Sequence, residues 1–364
     1  MSAAKRNKIY LEIIRILAIF LVVINHTCAF SFPNVEGVGD VWYWSQLLFD
    51  EIVKMAVPLF FMVSGALLLP KDESIAELYK KRVLRFGVVF FIIVTLQYAV
   101  YTIQHGGKFS EYLSCLYFGS EVNGFHALWF LKAYLGILIM LPILRIMARG
   151  MQSVHFAYML IVQIVVCSCI PVVLLFAGEY SGYCFINQWL PFRAENQTLP
   201  FSYGYCIFYM LLGYFVEQKQ DVVAKIRLRW WCAAGVMSLL IGLGCMIGAF
   251  NVNSDMEVRQ SVIFLTSFLP VPCIAFYQTV RVLSRHVQVE SLYAKVLAML
   301  GAASFTVMLF ENLFRINFLP MIKDMIEPSL GHRLSGVVLS VMVTMSAMLL
   351  GIILKQIPGI RRLI

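Results

Sequence analysis

Residues 9–30 read IYLEIIRILAIFLVVINHTCAF, an apolar run long enough to cross a bilayer as one helix. Glu12, Arg15, Asn25, His26 and Thr27 interrupt it. At 100° per residue, the steps from Arg15 to His26 amount to roughly three turns plus 20°, so the two side chains share a face roughly 16 Å apart along the axis. Glu12 lies within pairing reach of Arg15, three residues on. Charged groups at membrane depth are costly and mark a site or pathway unless they only hold helices together; the first reading is preferred here.

The same pattern continues along the chain. Of its 364 residues 60% are hydrophobic and 13% charged, and no long polar stretch stands apart as a soluble domain. The composition predicts an all-α polytopic membrane protein. Its basic-then-apolar start resembles a signal peptide, but Arg15 breaks the apolar run and no small-x-small cleavage site follows, so it is read as a retained first helix. Ten spans are expected, at roughly 9–30, 50–69, 86–103, 127–147, 155–177, 201–216, 231–250, 260–280, 296–318 and 334–354. An even number puts both termini on one side. Lys5, Arg6, Lys8, the group from Lys71 to Arg85, Arg145, Arg149, the group from Lys219 to Arg229, Arg281, Arg285, Lys295, Lys355, Arg361 and Arg362 fall on that side. The other side has Lys108, Arg193, Arg259, Lys323 and Arg333. By the positive-inside rule both termini are expected in the cytoplasm, and the +9 net charge is a matter of topology that needs no nucleic-acid partner.

Two further stretches concentrate chemistry. YKKRVLRF, Tyr79 to Phe86, is denser in charge than topology requires. Lys80, Lys81, Arg82 and Arg85 suit a polyanion such as a nucleotide phosphate at the cytoplasmic mouth; a stop-transfer signal beside anionic lipid is the plainer alternative. In the ninth span Glu311, Asn312 and Arg315 stand in apolar surroundings, and Glu311 with Arg315 has the spacing of a self-satisfied pair. Glu311 also lies about 22 Å from the start of its span at Val296, close to the depth of His26, so its carboxylate is placed to orient the imidazole if the two helices face each other.

Other signals are weaker. His126 beside Trp129 and Lys132 reads mainly as an interfacial anchor, and His105, His155, His286 and His332 as solvated. The nine cysteines form no CxxC pair, and no metal site is expected. Gly242, Gly244 and Gly248 are spaced one residue too long for a dinucleotide fingerprint, but Gly244 and Gly248 make a GxxxG helix-packing pattern. Asn196-Gln-Thr198 is a glycosylation sequon, meaningful only in a eukaryotic host.

The Arg15–His26 helix, AVPLFFMVSGALLL (Ala56 to Leu69), YKKRVLRF, LWFLKAYLGILIMLPILR (Leu128 to Arg145) and YCIFYMLLGYF (Tyr205 to Phe215), in that order, resemble the bacterial acyltransferase-3 family of membrane O-acyltransferases. The resemblance implies a ten-helix core that moves an acyl group, commonly acetyl from cytoplasmic acetyl-CoA, to hydroxyls of extracytoplasmic glycans. It implies His26 as the catalytic histidine and Arg15 as an acyl-CoA-binding or helix-positioning residue. The ninth span departs from the family pattern, with Phe310 where a histidine commonly precedes the acidic-Asn pair. Residues 1–364 read as one transmembrane acyltransferase domain, the minimal core, with no appended soluble domain.

The expected function is therefore O-acetyl transfer from acyl-CoA to a surface polysaccharide or glycolipid, across a bacterial inner or plasma membrane. Expected catalytic residues are His26 as base, Glu311 holding the ring, and Asn312 as a donor to the oxyanion. Arg15, Lys80, Lys81, Arg82, Arg85 and Arg145 are expected to hold acyl-CoA, and His126, Trp129 and Arg193 to meet the acceptor. Direct attack and an acyl-His intermediate both fit, and self-association into a homo-oligomer stays open. The rival from another class is a proton-coupled transporter or flippase using Arg15, His26 and Glu311 as a relay; against it stands the lack of an internal repeat. A third reading, a glycan-binding scaffold, would use the segment from Glu179 to Leu199.

Overall fold

The computed structural model describes residues 8–27, 41–117, 128–176, 204–252, 268–287, 291–317, 319–361 and 363. All the extended elements among them are helices, as a lipid-embedded chain requires: helical hydrogen bonds leave no backbone group unpaired in hydrocarbon. They are α1 (Ile9–His26), α2 (Val41–Val53), α3 (Ala56–Leu68), α4 (Ile75–His105), α5 (Phe109–Tyr117), α6 (Trp129–Gly150) and α7 (Ser153–Ile164). A π turn, Val165–Cys169, leads into α8 (Ile170–Phe176). Then follow α9 (Gly204–Gln218), α10 (Leu228–Val252), α11 (Pro270–Leu283), α12 (Leu292–Asn317) and α13 (Leu319–Leu354).

Among the described residues seven helices are long and apolar enough to cross a membrane, and Ser153–Cys169 and Cys206–Gln218 are shorter apolar helices at the fifth and sixth expected spans. The second expected span is broken by a turn at Lys54 and Met55 between α2 and α3. The third begins earlier than hydropathy suggested. Ser74 and Glu77 form a capping box that starts α4 at Ile75, so YKKRV lies inside the helix, on a π turn over Tyr79–Val83, and not in a loop. Gly106, at φ 73°, stops the helix by accepting a left-handed backbone, its N–H donating to the Thr102 carbonyl. In α13, Gly331 (φ 72°) separates two helices set end to end, and the second, Leu334–Leu354, is the expected last span.

Between helices in lipid there is little hydrophobic driving force, so close packing and polar contacts hold the bundle. Its tightest crossing joins α3 and α9. A Cβ on Gly65 would fall 1.9 Å from the Met210 carbonyl oxygen, and one on Gly213 would fall 2.0 Å from that of Met62. Each glycine thus admits the other helix's backbone. The GxxxG of α10 makes no such crossing among the described residues: there Gly244 has nothing within 4 Å of a built Cβ, and the atoms nearest to a Cβ on Gly248 are those of the Phe176 ring.

Helix α1 is central, packing against α2, α3, α11, α12 and α13 with Leu11, Ile14, Ala18, Ile19 and Val23 fully buried. Its N-terminal end is tied down by Glu217 at the end of α9. That buried carboxylate accepts from Tyr10 Oη at 2.6 Å, Tyr277 Oη at 3.1 Å and Arg281 Nη1 at 3.1 Å, with Lys8 at 3.5 Å. At its C-terminal end, the Thr27 and Ser340 hydroxyls lie 2.6 Å apart and join α1 to α13.

Candidate active site

His26 ends α1 and Glu311 lies in α12, and their contact crosses the bundle: Nδ1 to Oε1 is 2.7 Å. Glu311 is 3% exposed while the imidazole keeps 24%, so the carboxylate is enclosed and the ring reachable. With an ionised carboxylate, which only accepts, this bond runs from Nδ1–H to Oε1. Phe310, the departure noted in the sequence, is partly buried among apolar neighbours.

The pairing of Glu311 with Arg315 that their spacing suggests is loose, with Arg315 Nε 4.0 Å from Glu311 Oε2. Arg315 donates instead to Asn312 Oδ1 at 2.7 Å, and Asn312 Nδ2 donates to Gln97 Oε1 at 3.0 Å. Asn312 is 2% exposed and Gln97 6%. Gln97 had no motif to mark it. Its signal is periodicity: Leu84, Val88, Phe91, Ile92 and Leu96 form the outward stripe of α4, which leaves Gln97 on the buried face with Val89, Phe90, Ile93 and Val94.

Toward the N-terminal end of α1, Arg15 Nη1 donates to Glu12 Oε2 at 3.0 Å and to the Gly301 carbonyl at 3.4 Å. Gly301 belongs to α12, so the same two helices meet at both polar levels, and a Cβ there would lie 2.0 Å from Glu12 Oε2. Above this level an aromatic cluster fills the interior: Phe86 packs on Tyr134 (5.1 Å between centroids) and on Phe305 (5.6 Å), and Phe60 on Phe130 (5.1 Å).

The basic segment divides into two groups. Arg82 grips Glu73 with both arms, Nε to Oε2 at 3.0 Å and Nη2 to Oε1 at 2.6 Å. Arg145, almost fully buried, sends Nη2 to the same Oε2 at 2.9 Å and both Nε and Nη2 to the Leu68 carbonyl at 3.1 Å. Two guanidinium groups hold the Glu73 carboxyl down to about 2, with the Arg82 hydrogen bonds the largest cause. Lys80, Lys81, Arg82 and Arg85, with Leu84, Val88 and Leu363, line an open cavity of about 580 Å³. Lys81 pairs with Glu77 on the exposed face, and Arg85 Nε donates to the Leu363 carbonyl at 2.9 Å. Glu73 escaped the sequence reading because nothing local distinguishes an acid in a short loop.

Of the expected acceptor residues, Trp129 starts α6 against Phe130, and His126 and Arg193 lie outside the described residues. His155 sits in the first turn of α7, where Nδ1 accepts from the Gln152 N–H, and His105 stacks on Tyr101 at the end of α4; both are exposed. Among the described residues no group of three His, Cys, Asp or Glu side chains is arranged to hold a metal.

No curated protein and no solved structure matches the chain. A family model does: the acyltransferase domain of acyltransferase 3 matches residues 8–355, which takes in α1 with Arg15 and His26, the basic segment and all of α12. The chain, a membrane protein of several apolar helices, belongs to the acyltransferase-3 family.

Proposed function

We propose that the protein is an O-acyltransferase that takes an acyl group, acetyl in the simplest case, from cytoplasmic acyl-CoA to a hydroxyl of an extracytoplasmic glycan or glycolipid. The observation that carries this reading is the His26–Glu311 contact: a reachable imidazole with Nδ1 bound to an enclosed carboxylate. His26 Nε2 takes the proton of the acceptor hydroxyl and the oxygen attacks the thioester carbonyl. The C–S bond then breaks, and the CoA thiolate leaves as the thiol by taking the proton from the imidazolium. Glu311 fixes the ring and faces the charge it gains.

With both termini in the cytoplasm of a bacterial cell, the basic cavity and Arg15 lie on the donor side and His26 toward the acceptor. Phosphates of CoA meet Lys80, Lys81 and Arg85; the thin pantetheine arm follows the polar face of α1 past Arg15 to His26. Residues 1–364 act as one transmembrane acyltransferase domain, and no metal takes part.

The test is release of free CoA from acetyl-CoA by purified protein in detergent, with and without a crude surface-glycan extract, comparing wild type with His26→Ala. Glycan-stimulated release abolished in the variant supports the reading. Absence of both release and acetyl-CoA binding in the wild type moves the weight to a transporter using the same groups.

A further inference from the structure

The side chains behind Glu311 form a line whose polarity is set from both ends. At one end the Leu309 carbonyl can only accept, so Gln97 turns its Nε2 toward it, at 3.5 Å, and presents Oε1 to Asn312. At the other end Arg315 can only donate, so Asn312 turns Oδ1 toward it, at 2.7 Å, and presents Nδ2 to Gln97, at 3.0 Å. Neither amide can flip without setting donor against donor or acceptor against acceptor, in a buried place where an unmatched polar group is costly. The line ends with Arg315 Nε at 4.0 Å from Glu311 Oε2, whose other oxygen is on His26.

Three helices take part: α4 supplies Gln97, α12 supplies Asn312, Arg315 and Glu311, and α1 supplies His26. Within α12 alone Arg315 could swing toward Glu311 or away from it. The anchor that stops it is outside the helix, on the buried face of α4.

We propose that Gln97 is a positioning residue for His26, acting through Asn312 and Arg315 to fix the cation beside Glu311. Asn312, buried with Oδ1 on Arg315 and Nδ2 on Gln97, is then a link in this line. The proposal rests on the reading of His26 as base and Glu311 as its partner. Gln97 is 6% exposed and spends its amide on Leu309 and Asn312, so its loss acts on kcat and leaves the donor KM alone.

The experiment measures glycan-stimulated CoA release from acetyl-CoA by full-length protein in detergent, for Gln97→Met, Asn312→Leu and the double variant. Each single change is expected to lower kcat roughly tenfold or more with the acetyl-CoA KM within about twofold, and the double variant to be no more than about threefold worse than the poorer single one, as members of one line are not additive. Arg315→Lys, which keeps the charge and loses the fork, provides the same reading if Gln97→Met is not recovered folded: a tenfold loss of kcat supports the proposal. Wild-type kcat in Gln97→Met or Arg315→Lys, a loss confined to KM, or multiplicative losses in the double variant would overturn it. An inactive wild type would instead overturn the acyltransferase reading itself, so the two failures are distinct.

Discussion

The carboxylate of Glu12 rests on the backbone of Gly301, close enough that a Cβ on the glycine would lie 2.0 Å from Oε2 and 2.9 Å from Glu12 Cβ. Arg15, which donates to that carboxylate and to the Gly301 carbonyl, is therefore held by a contact that only glycine allows. Gly301→Ala should displace Glu12 and release Arg15. We expect kcat/KM for acetyl-CoA to fall about tenfold, a cost of roughly 1.4 kcal/mol, in Gly301→Ala and in Glu12→Gln alike. The two changes together should cost no more than one; full activity in Gly301→Ala would show that Arg15 needs no such seat.

The α3–α9 crossing makes a prediction about stability. An added methyl at Gly65 or Gly213 meets a carbonyl oxygen of the facing backbone, which cannot turn aside as a side chain can. Gly65→Ala and Gly213→Ala should each cost about 1–3 kcal/mol, read as a lowered unfolding midpoint in detergent. Gly244→Ala is the control: nothing lies within 4 Å, and replacing a mid-helix glycine should be neutral or gain up to about 1 kcal/mol. Equal behaviour of the three variants would refute the close crossing.

Glu73 gives the acid dependence. Its carboxyl is held down to about 2 from an ordinary 4.5 by Arg82 and Arg145, so the folded protein resists protonating it more than the unfolded chain does. The stabilisation is therefore complete above about pH 4.5 and is lost as pH falls through 4.5 toward 2. Glu73→Gln should unfold more readily than wild type at pH 7, and the gap should narrow over that interval. A gap that stays constant from pH 7 to pH 3 would mean the ion pairs contribute nothing.

How much of this was legible in the chain depended on whether the signal was local. The helical class, the first helix with its Glu12–Arg15 pair, and the depth match of His26 with Glu311 follow from hydropathy and the 1.5 Å rise, both of which are read along one segment. Gln97, Glu73 and Gly301 matter through partners on other helices, and a lone polar or small residue in an apolar run carries no mark of which neighbour it will meet. The GxxxG of α10 misled for the same reason: the spacing shows that a face is small, while contact depends on what lies opposite, and the close crossing formed at Gly65 and Gly213 instead. The start of α4 was missed because hydropathy weighs YKKRV as polar, whereas the Ser74–Glu77 capping box starts the helix at Ile75, about three turns before Phe86.

The basic segment leads to a division of labour among its cations. Arg82 and Arg145 are engaged with Glu73 and the Leu68 carbonyl, and a guanidinium in a two-armed grip on a carboxylate has little left for a phosphate. Lys80 is exposed, and it shares the open cavity with Arg85. Lys80→Ala and Arg85→Ala should accordingly raise the acetyl-CoA KM by about tenfold each, steepened at low salt and muted at high salt, with kcat within about threefold. Arg145→Ala takes the guanidinium from the Leu68 carbonyl and leaves Glu73 to Arg82 alone, so it should lower the unfolding midpoint and the yield of folded protein before it alters KM. If Arg145→Ala instead raised KM at unchanged stability while Lys80→Ala did nothing, the donor phosphates would have to lie on the Glu73 side, with that carboxylate displaced when acyl-CoA binds.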